Sequence, residues 1–234
     1  MVVVSARRLQ PHDLRGVVLA LGILALWLGC LAYALPRTWH WGTLWPYLLI
    51  AVQTHLYTGL FISAHDAMHG TLAPGRRWLN EGLGFVCALL LAFNWYPLLR
   101  RKHHLHHRHV VSVDDPDYHT GGFWPWFGAF VRQYVTLWQV LAVAVTFNVL
   151  YRLFFPLENV LLFWVLPSVL ATLQLFYFGT YLPHRTPHVP DNAHHSRSQA
   201  KNHLWAFLSC YFFGYHYEHH AYPGTPWWLL WTKK

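Results

Sequence analysis

The sequence predicts an all-α integral membrane protein: four transmembrane helices and a cytoplasmic-side helical region that carries a histidine-rich metal site. The chain has 234 residues, of which 55% are hydrophobic and 11% charged, and its mean hydropathy is +0.22. A soluble domain carries about a quarter charged residues, so the composition favours the membrane class. Four apolar runs approach the roughly 20 residues that a helix needs to cross a bilayer. The length suits a single membrane-embedded domain over residues 1–234.

The apolar runs define the expected transmembrane helices. Pro46 and Pro167 fall inside two of them, which membrane helices tolerate. A fifth run, at residues 83–97, is shorter and contains Asn94 and Pro97, so we expect an interfacial or re-entrant segment there. The four spans are expected at residues 17–35, 44–64, 135–153 and 160–182.

Basic residues gather on one side of these spans. The net charge of +8 is not accompanied by a basic helix or an RNA-binding motif, so we expect no nucleic-acid partner. The charged residues in the short links at 36–43 and 154–159 are Arg37 and Glu158 alone. The positive-inside rule therefore places both termini and the large polar regions in the cytoplasm. The basic residues on that side are Arg7, Arg8, Arg15, Arg76, Arg77, Arg100, Arg101, Lys102, Arg108, Arg185, Arg197, Lys201, Lys233 and Lys234.

Most of the 19 histidines lie on the same side, and three motifs have helical spacing. HDAMH places two histidines four residues apart, while HHLHH and HYEHH each place three at positions i, i+3 and i+4. Residues with these spacings share one face of a helix, where they can reach a common metal centre. The eight histidines are His65, His69, His103, His106, His107, His216, His219 and His220.

Eight imidazoles exceed the ligand number of one ion. A structural zinc ion takes four ligands and a catalytic one takes three plus water, and imidazole also suits iron and copper. Two adjacent metals, each with an open coordination position, fit the count best. The alternative is that interfacial histidines cluster by chance. That alternative would be favoured for a single histidine, but not for three motifs that repeat the spacing of helical ligands.

The order of these motifs between paired spans resembles the membrane fatty-acid desaturase and hydroxylase superfamily. The surrounding segments LFISAHDAMHG, HHRHVVSVDDPD, QLFYFGTYLPHR and FGYHYEHHAYPGTPWW are similar to those of bacterial and cyanobacterial β-carotene ketolases. The resemblance extends from about residue 50 to residue 230. It implies two iron ions in a non-haem centre, O2 as co-substrate, electrons from a small redox protein such as ferredoxin, a carotenoid substrate, and a bacterial inner or cyanobacterial membrane.

The resemblance also implies a reaction and further site residues. The C4 methylene of a β-ionone ring would be hydroxylated twice, and the geminal diol would lose water to leave a ketone. His184, in LPHR at the end of the fourth span, would be a ninth ligand. Related desaturases carry an asparagine one turn earlier, where this chain has Thr180. His194 is expected either beside the ligands or as an occasional ligand, whereas His104 and His109 point off the shared face.

Acidic residues beside the histidine motifs are candidates for orienting the ligands. A metal-bound imidazole usually donates its other N–H to a carboxylate or a carbonyl. We expect Asp66 and Asp117 in this role. Asp114 and Asp115 could share it, and the alternative for these two residues is that they cap a helix ahead of Pro116. Large residues near the ligands are expected to form the walls of a ring-binding pocket: Phe61, Phe178, Tyr181 and Tyr217.

Three classes of function stay open at this point. The first is a carotenoid ketolase. The second is another oxygenase of the superfamily, such as a carotenoid hydroxylase or an acyl-lipid desaturase, which only the segments flanking the histidines argue against. The third is a metal carrier without catalytic activity. It is disfavoured because the histidines lie at the membrane surface rather than along a path through the spans.

The distribution of basic residues yields a prediction about topology. A reporter enzyme fused to either terminus should register as cytoplasmic, because both termini are on the basic side of four spans. The measurement compares a cytoplasm-active reporter with a periplasm-active reporter at each terminus. Periplasmic activity at the C-terminus alone would show an odd number of spans and would point to residues 83–97 as a further crossing.

Overall fold

The computed structural model describes residues 13–234, so the basic residues Arg7 and Arg8 lie outside the described part of the chain. Within that part every regular element is a helix. The helices are α1 (Arg15–Ala34), α2 (Trp45–Met68), α3 (Arg77–Leu90), α4 (Tyr96–His109), α5 (Phe123–Tyr134), α6 (Leu137–Leu153), α7 (Leu157–His184), α8 (His203–Cys210), α9 (His216–Ala221) and α10 (Trp227–Leu230), the last followed by a 3-10 turn at Trp231–Lys233.

Three helices are long and apolar enough to cross a membrane. They are α1, α2 and α7, with mean hydropathies of 2.4, 1.3 and 1.9 over their most apolar windows. A further candidate is the pair α5 and α6, whose axes meet at 88°. Residues 13–234 therefore contain three such helices, or four if the bent pair forms one broken span. The expected spans at 17–35, 44–64 and 160–182 correspond to α1, α2 and α7.

The bend between α5 and α6 has a local cause. Thr136 has an extended backbone, and its hydroxyl accepts a hydrogen bond from the backbone N–H of Gln139 (3.3 Å). The side-chain oxygen of Gln139 accepts in return from the backbone N–H of Thr136 (2.8 Å). This reciprocal capping box starts a new helix at Leu137. The apolar run expected at 135–153 therefore begins as a helix two residues later than its hydropathy indicates.

Residues 83–97, where we expected an interfacial or re-entrant segment, are divided between two helices. They contain the second half of α3 and the start of α4, separated by a short link. In this link Ala92 and Phe93 have positive φ angles of 52° and 56°. The Asn94 side chain donates to the carbonyl of Leu91 and accepts from Gln139 Nε2 (2.8 Å). The link is thereby held against α6.

Helix α7 contains two π-helical segments, each followed closely by a proline. The segments are Val160–Val165, ahead of Pro167, and Tyr177–Tyr181, ahead of Pro183. A proline has no N–H to donate and its ring clashes with the preceding turn, and the wider π-helical turn relieves both problems. The helix therefore continues through both prolines and ends at His184.

A buried asparagine joins the start of α7 to the end of α1 and to the link that follows it. Asn159, in the first turn of α7, donates from its side chain to the carbonyls of Leu35 (2.9 Å) and Arg37 (2.7 Å) in the link between α1 and α2. Helix α2 packs against α1, α3 and α7. Helix α2 ends beside His69 and α7 ends at His184, so the two helices bring their histidines to the same end of the bundle.

We predict that Asn159→Ala destabilises the protein by about 1–3 kcal/mol, because two buried carbonyls lose their donor. The measurement is thermal unfolding in detergent. The control is Asn148→Ala on α6, where an exposed asparagine donates only to the Ala144 carbonyl of its own helix (2.8 Å). Its expected change is within about 0.5 kcal/mol. Equal effects of the two substitutions would contradict the proposed link between α1 and α7.

Candidate metal centre

Four helices deliver histidines to one end of the bundle. The last turn of α2 carries His65, and His69 follows in a helical conformation that keeps it on the same face (φ −82°, ψ −5°). Helix α4 begins with Pro97 in its first turn and carries the HHLHH motif. Helix α7 ends at His184, and the short α9 carries the HYEHH motif. The helices expected from the spacing of all three motifs are therefore present.

The histidines form two groups of four, each with ligand atoms within 4.8 Å of one another. Two of the three motifs, HHLHH and HYEHH, are divided between the groups, whereas both histidines of HDAMH belong to the same group. Helix α4, for example, contributes His103 to one group and His106 to the other. We call the groups site A (His65, His69, His103 and His219) and site B (His106, His184, His216 and His220).

Within each site the ring nitrogens face one another at close range. In site A, Nε2 of His69 lies 2.7 Å from Nε2 of His103, and Nε2 of His65 lies 3.2 Å from Nε2 of His219. In site B the Nε2–Nε2 distances are 2.9 Å between His184 and His216, 3.0 Å between His216 and His220, and 3.2 Å between His106 and His220.

The hydrogen bonds on the far side of two rings indicate which nitrogens are free of protons. His106 donates from Nδ1 to Oδ1 of Asp115 (2.9 Å), and His184 donates from Nδ1 to the carbonyl of His195 (3.0 Å). A neutral imidazole has a single N–H, so Nε2 of each ring presents a lone pair to site B. Converging lone pairs repel one another unless a cation lies between them. The donor set of this site therefore fits a metal ion.

The local environment keeps most of these rings in the neutral form that binds metals. Burial lowers the pKa of His219 well below its usual range, and the neighbouring His65 adds to the effect. Burial and His216 lower the pKa of His220 in the same way. His106 differs: burial lowers its pKa, but the hydrogen bond that its ring donates to Asp115 and the charge of Asp117 outweigh burial, so the net shift is upward. Metal binding requires neutral imidazole, which suits the buried rings.

The remaining predicted histidine ligand, His107, lies between the two sites. Nε2 of His107 is 2.9 Å from Nε2 of His219 in site A. Its ring also stacks on that of His220 in site B, with the centroids 4.3 Å apart. The structure thus brings all nine predicted histidines together, with His107 in contact with both groups and a member of neither.

Two further histidines lie near the sites without joining them. The ring of His104 is 5.9 Å from that of His69, and the ring of His194 is 6.1 Å from that of His220, measured between centroids. Within residues 13–234, neither His104 nor His194 belongs to site A or site B. The proposed occasional ligation by His194 therefore has no geometric support.

The acidic residues are used differently from our expectation. Asp66 Oδ1 is 3.4 Å from Nδ1 of His65, and its Oδ2 accepts from the backbone N–H of Trp227 (3.0 Å), which ties the C-terminal segment to α2. Asp117 Oδ2 is 3.9 Å from Nδ1 of His106, and its other oxygen accepts from the Tyr134 hydroxyl.

Asp115, rather than Asp117, contacts His106 directly. The alternative, in which Asp114 and Asp115 cap a helix at Pro116, is not what the structure has. Residues 110–122 form turns, and the next helix starts at Phe123 after the N-cap Gly122. Asp115 instead accepts from the backbone N–H groups of Val111 and Asp117. An aspartate side chain that accepts from the backbone N–H two residues later forms an Asx turn. The DDPD segment of the sequence is typical of such a turn.

An apolar cavity of about 140 Å³ adjoins both sites. His103 of site A and both His106 and His216 of site B reach its wall, as do Thr180 and Asp117. Most of the remaining wall is apolar, and it includes Phe61, Met68, Leu99, Phe130, Leu175 and Phe213.

Of the four residues expected to line a pocket, the structure places Phe61 in this wall. Phe178 instead packs against Trp205 with ring centroids 6.4 Å apart, and Tyr181 packs against Trp126 at 5.5 Å. Tyr217 is 41% exposed and lies beside His194. The sequence reasoning missed the residues of α5 in the wall, because the bend that brings α5 over the histidines is not visible in the hydropathy.

The Phe213 ring packs directly on the histidines. Its centroid is 4.9 Å from that of His65, 5.1 Å from that of His216 and 5.5 Å from that of His219. On its other side lies Gly179 of α7, where an added Cβ would be 2.3 Å from a Phe213 ring carbon. The missing side chain at Gly179 therefore allows Phe213 to hold rings of both sites.

Comparison with known proteins gives a consistent set of relatives. Residues 39–138 and 121–231 match the family model described as fatty acid desaturase. A β-carotene ketolase of Haematococcus lacustris is 38% identical over 250 residues, covering 93% of this chain and 78% of the relative. A β-carotene ketolase of a Paracoccus species is 40% identical over 236 residues, covering 97% and 96%. A zeaxanthin 4-ketolase of Chlamydomonas reinhardtii is 39% identical over 243 residues, covering 93% and 53%.

We predict that Gly179→Ala lowers both metal content and stability, because the new methyl group pushes Phe213 onto the histidines. Overpacking of this kind costs about 1–3 kcal/mol. The measurements are metal bound per chain and thermal unfolding in detergent. The control is Gly128→Ala on α5, where an added Cβ meets no heavy atom within 4 Å. If the Gly179 variant bound metal as well as the control, Phe213 would not be needed to hold the two sites.

Proposed function

The chain belongs to the carotenoid ketolases of the fatty acid desaturase family, and we propose on this premise that it oxidises the C4 methylene of carotenoid β-ionone rings to a ketone. Its substrate would be β-carotene, converted through echinenone to canthaxanthin. The observation that carries the proposal is an apolar cavity whose wall includes histidines of two adjacent four-histidine sites. Such a wall brings a hydrocarbon ring and two metal ions to the same place.

We propose that each site holds one iron ion, since imidazole suits iron. When bound, the two irons would activate O2 and supply the oxidising power for attack on a C–H bond. The residues of the chain supply neutral ligands, which leave the positive charge of the ions uncompensated. His107, in contact with both groups, is available to either ion. Asp115 and the His195 carbonyl hold two of the site B rings in place through their Nδ1 atoms.

The cavity residues would position the ring and exclude water. Phe61, Leu175 and Phe213 offer apolar surface beside the histidines, against which a β-ionone ring can pack. The C–H bonds at C4 are allylic and weaker than those at C3, so a pocket that admits the ring already favours C4. The ring must also stay in place for a second attack at the same carbon. Each hydroxylation consumes one O2, two electrons and two protons and releases one water, and the resulting geminal diol then loses water.

The membrane and the redox partner complete the proposal. A single domain over residues 1–234 would be embedded through α1, α2, α7 and the bent pair α5–α6, and the substrate would enter from the bilayer. The basic residues that adjoin the histidine motifs, such as Arg101, Lys102 and Arg185, support a cytoplasmic site and cytoplasmic termini. A small redox protein such as ferredoxin would deliver electrons on that side.

The product distribution tests the proposed reaction. Expression in β-carotene-producing bacteria should yield 4-keto carotenoids, with a 4-hydroxy intermediate that rises early and then falls as ketone accumulates. The measurement is a chromatographic time course of extracted pigments. Mainly 3-hydroxy product would replace the ketolase with a hydroxylase. Unchanged carotenoids beside newly unsaturated acyl chains would indicate an acyl-lipid desaturase.

The metal sites are tested by one substitution in each site. Purified protein should hold about two irons per chain, and His106→Ala and His219→Ala should each reduce iron content and abolish ketone formation while the helical content stays. The matched control is His109→Ala, which removes a histidine of α4 that belongs to neither group and should leave both quantities unchanged. One zinc and no iron per chain after iron-replete aerobic expression would rule out the oxygenase.

A further inference from the structure

Asp115 forms the shortest carboxylate contact to the histidines of the two sites. Its Oδ1 accepts from Nδ1 of His106 at 2.9 Å, and the two side chains are 1% and 3% exposed. The bond lies behind the ring, on the side away from the nitrogen that faces site B. Asp115 therefore contacts a site histidine without itself belonging to the group of possible ligands.

The carboxylate is itself held rigidly. The backbone N–H of Val111 donates to its Oδ2 (2.9 Å), and the backbone N–H of Asp117 donates to its Oδ1 (2.9 Å). These bonds anchor the side chain in the turn that follows α4. Because His106 lies in the last turn of α4, the turn and the ring that it supports are close in sequence and rigidly connected.

We propose that Asp115 is a positioning residue for His106, which it holds in the tautomer and orientation that direct Nε2 into site B. The inference rests on the proposed function of the two groups as metal sites. A carboxylate behind an imidazole also raises the basicity of the ring, and thereby the affinity of the ligand for a divalent transition metal.

The same contact makes the two sites inequivalent. In site A the nearest counterpart is Asp66, whose distance from His65 Nδ1 is longer, at 3.4 Å, and whose Oδ2 is occupied by the Trp227 N–H. In site B, His184 is backed by an uncharged carbonyl, and Nδ1 of His216 is buried without a partner. One ligand of site B thus has a close anionic support that the ligands of site A lack, and site B binds its metal more tightly.

The first test is Asp115→Asn in the full-length protein in detergent, with Asp114→Asn as the matched control. Asp114 is the exposed neighbour of Asp115 and has the same charge. Competition between a chelator and the protein, with Fe²⁺ as the probe, measures the affinity of each site. We expect the affinity of one site to fall roughly 10- to 100-fold in Asp115→Asn, with the other site and the control unchanged. Equal weakening of both sites, or of neither, would overturn the inference.

A double-mutant cycle separates positioning of His106 from a merely structural role in the turn. If Asp115 acts through His106, Asp115→Asn should cause no further loss of metal affinity in a His106→Ala background. A turn that had lost its anchor would weaken binding in both backgrounds. Additive losses would therefore assign Asp115 to the turn alone.

A measurement on the unsubstituted protein does not depend on any variant folding. Mössbauer spectra of protein loaded with ⁵⁷Fe should contain two distinct doublets of equal area, and a single doublet would overturn the inequivalence. Protein that binds no iron at all would refute the proposed function itself. Protein that binds two irons of equal affinity and identical spectra would refute only the role of Asp115.

Discussion

The constraint on which the structure depends is the packing of nine imidazole rings into one small volume. Facing Nε2 atoms lie 2.7–3.2 Å apart, and lone pairs at that distance repel unless a cation or a proton lies between them. Burial disfavours protonation, so a cation is the stable solution. Four separate helices must meet at one point with their histidines facing inward. The remaining features of the bundle can be understood as what holds those four helix ends in place.

Helices α2 and α7 hold histidines in place because α2 ends beside His69 and α7 ends at His184. Asn159 joins the start of α7 to the link that precedes α2, and both helices end at histidines on the opposite side. Along α7, π-helical turns accommodate Pro167 and Pro183 without ending the helix before His184. Between the helix ends, Phe213 fills the space that Gly179 leaves and touches rings of both sites. Phe213 therefore belongs to the apolar packing of the bundle and also contacts the histidine rings of both sites.

The polar contacts outside the rings connect the centre to less regular parts of the chain. The turn after α4 contributes Asp115, the segment after α7 contributes the His195 carbonyl, and the C-terminal segment is tied to Asp66 through the Trp227 N–H. In an apolar environment an unpaired polar group is expensive, so each such bond also fixes its segment. The bent pair α5–α6 covers the centre and contributes cavity wall.

The sequence by itself determined the apolar helices and the three histidine faces, because hydropathy and i, i+3, i+4 spacing are properties of one helix. It also indicated all nine histidines that converge, His184 through family resemblance alone. Only the tertiary structure decided which histidines belong to site A and which to site B, since this assignment depends on how four helices rotate and pack against one another. The same holds for the choice of Asp115 over Asp117, for the bend at Thr136, and for a cavity wall that includes Phe61 but not Phe178, Tyr181 or Tyr217. These features depend on contacts between residues distant in sequence or on the conformation of a turn. The spacing of residues within one helix predicts neither.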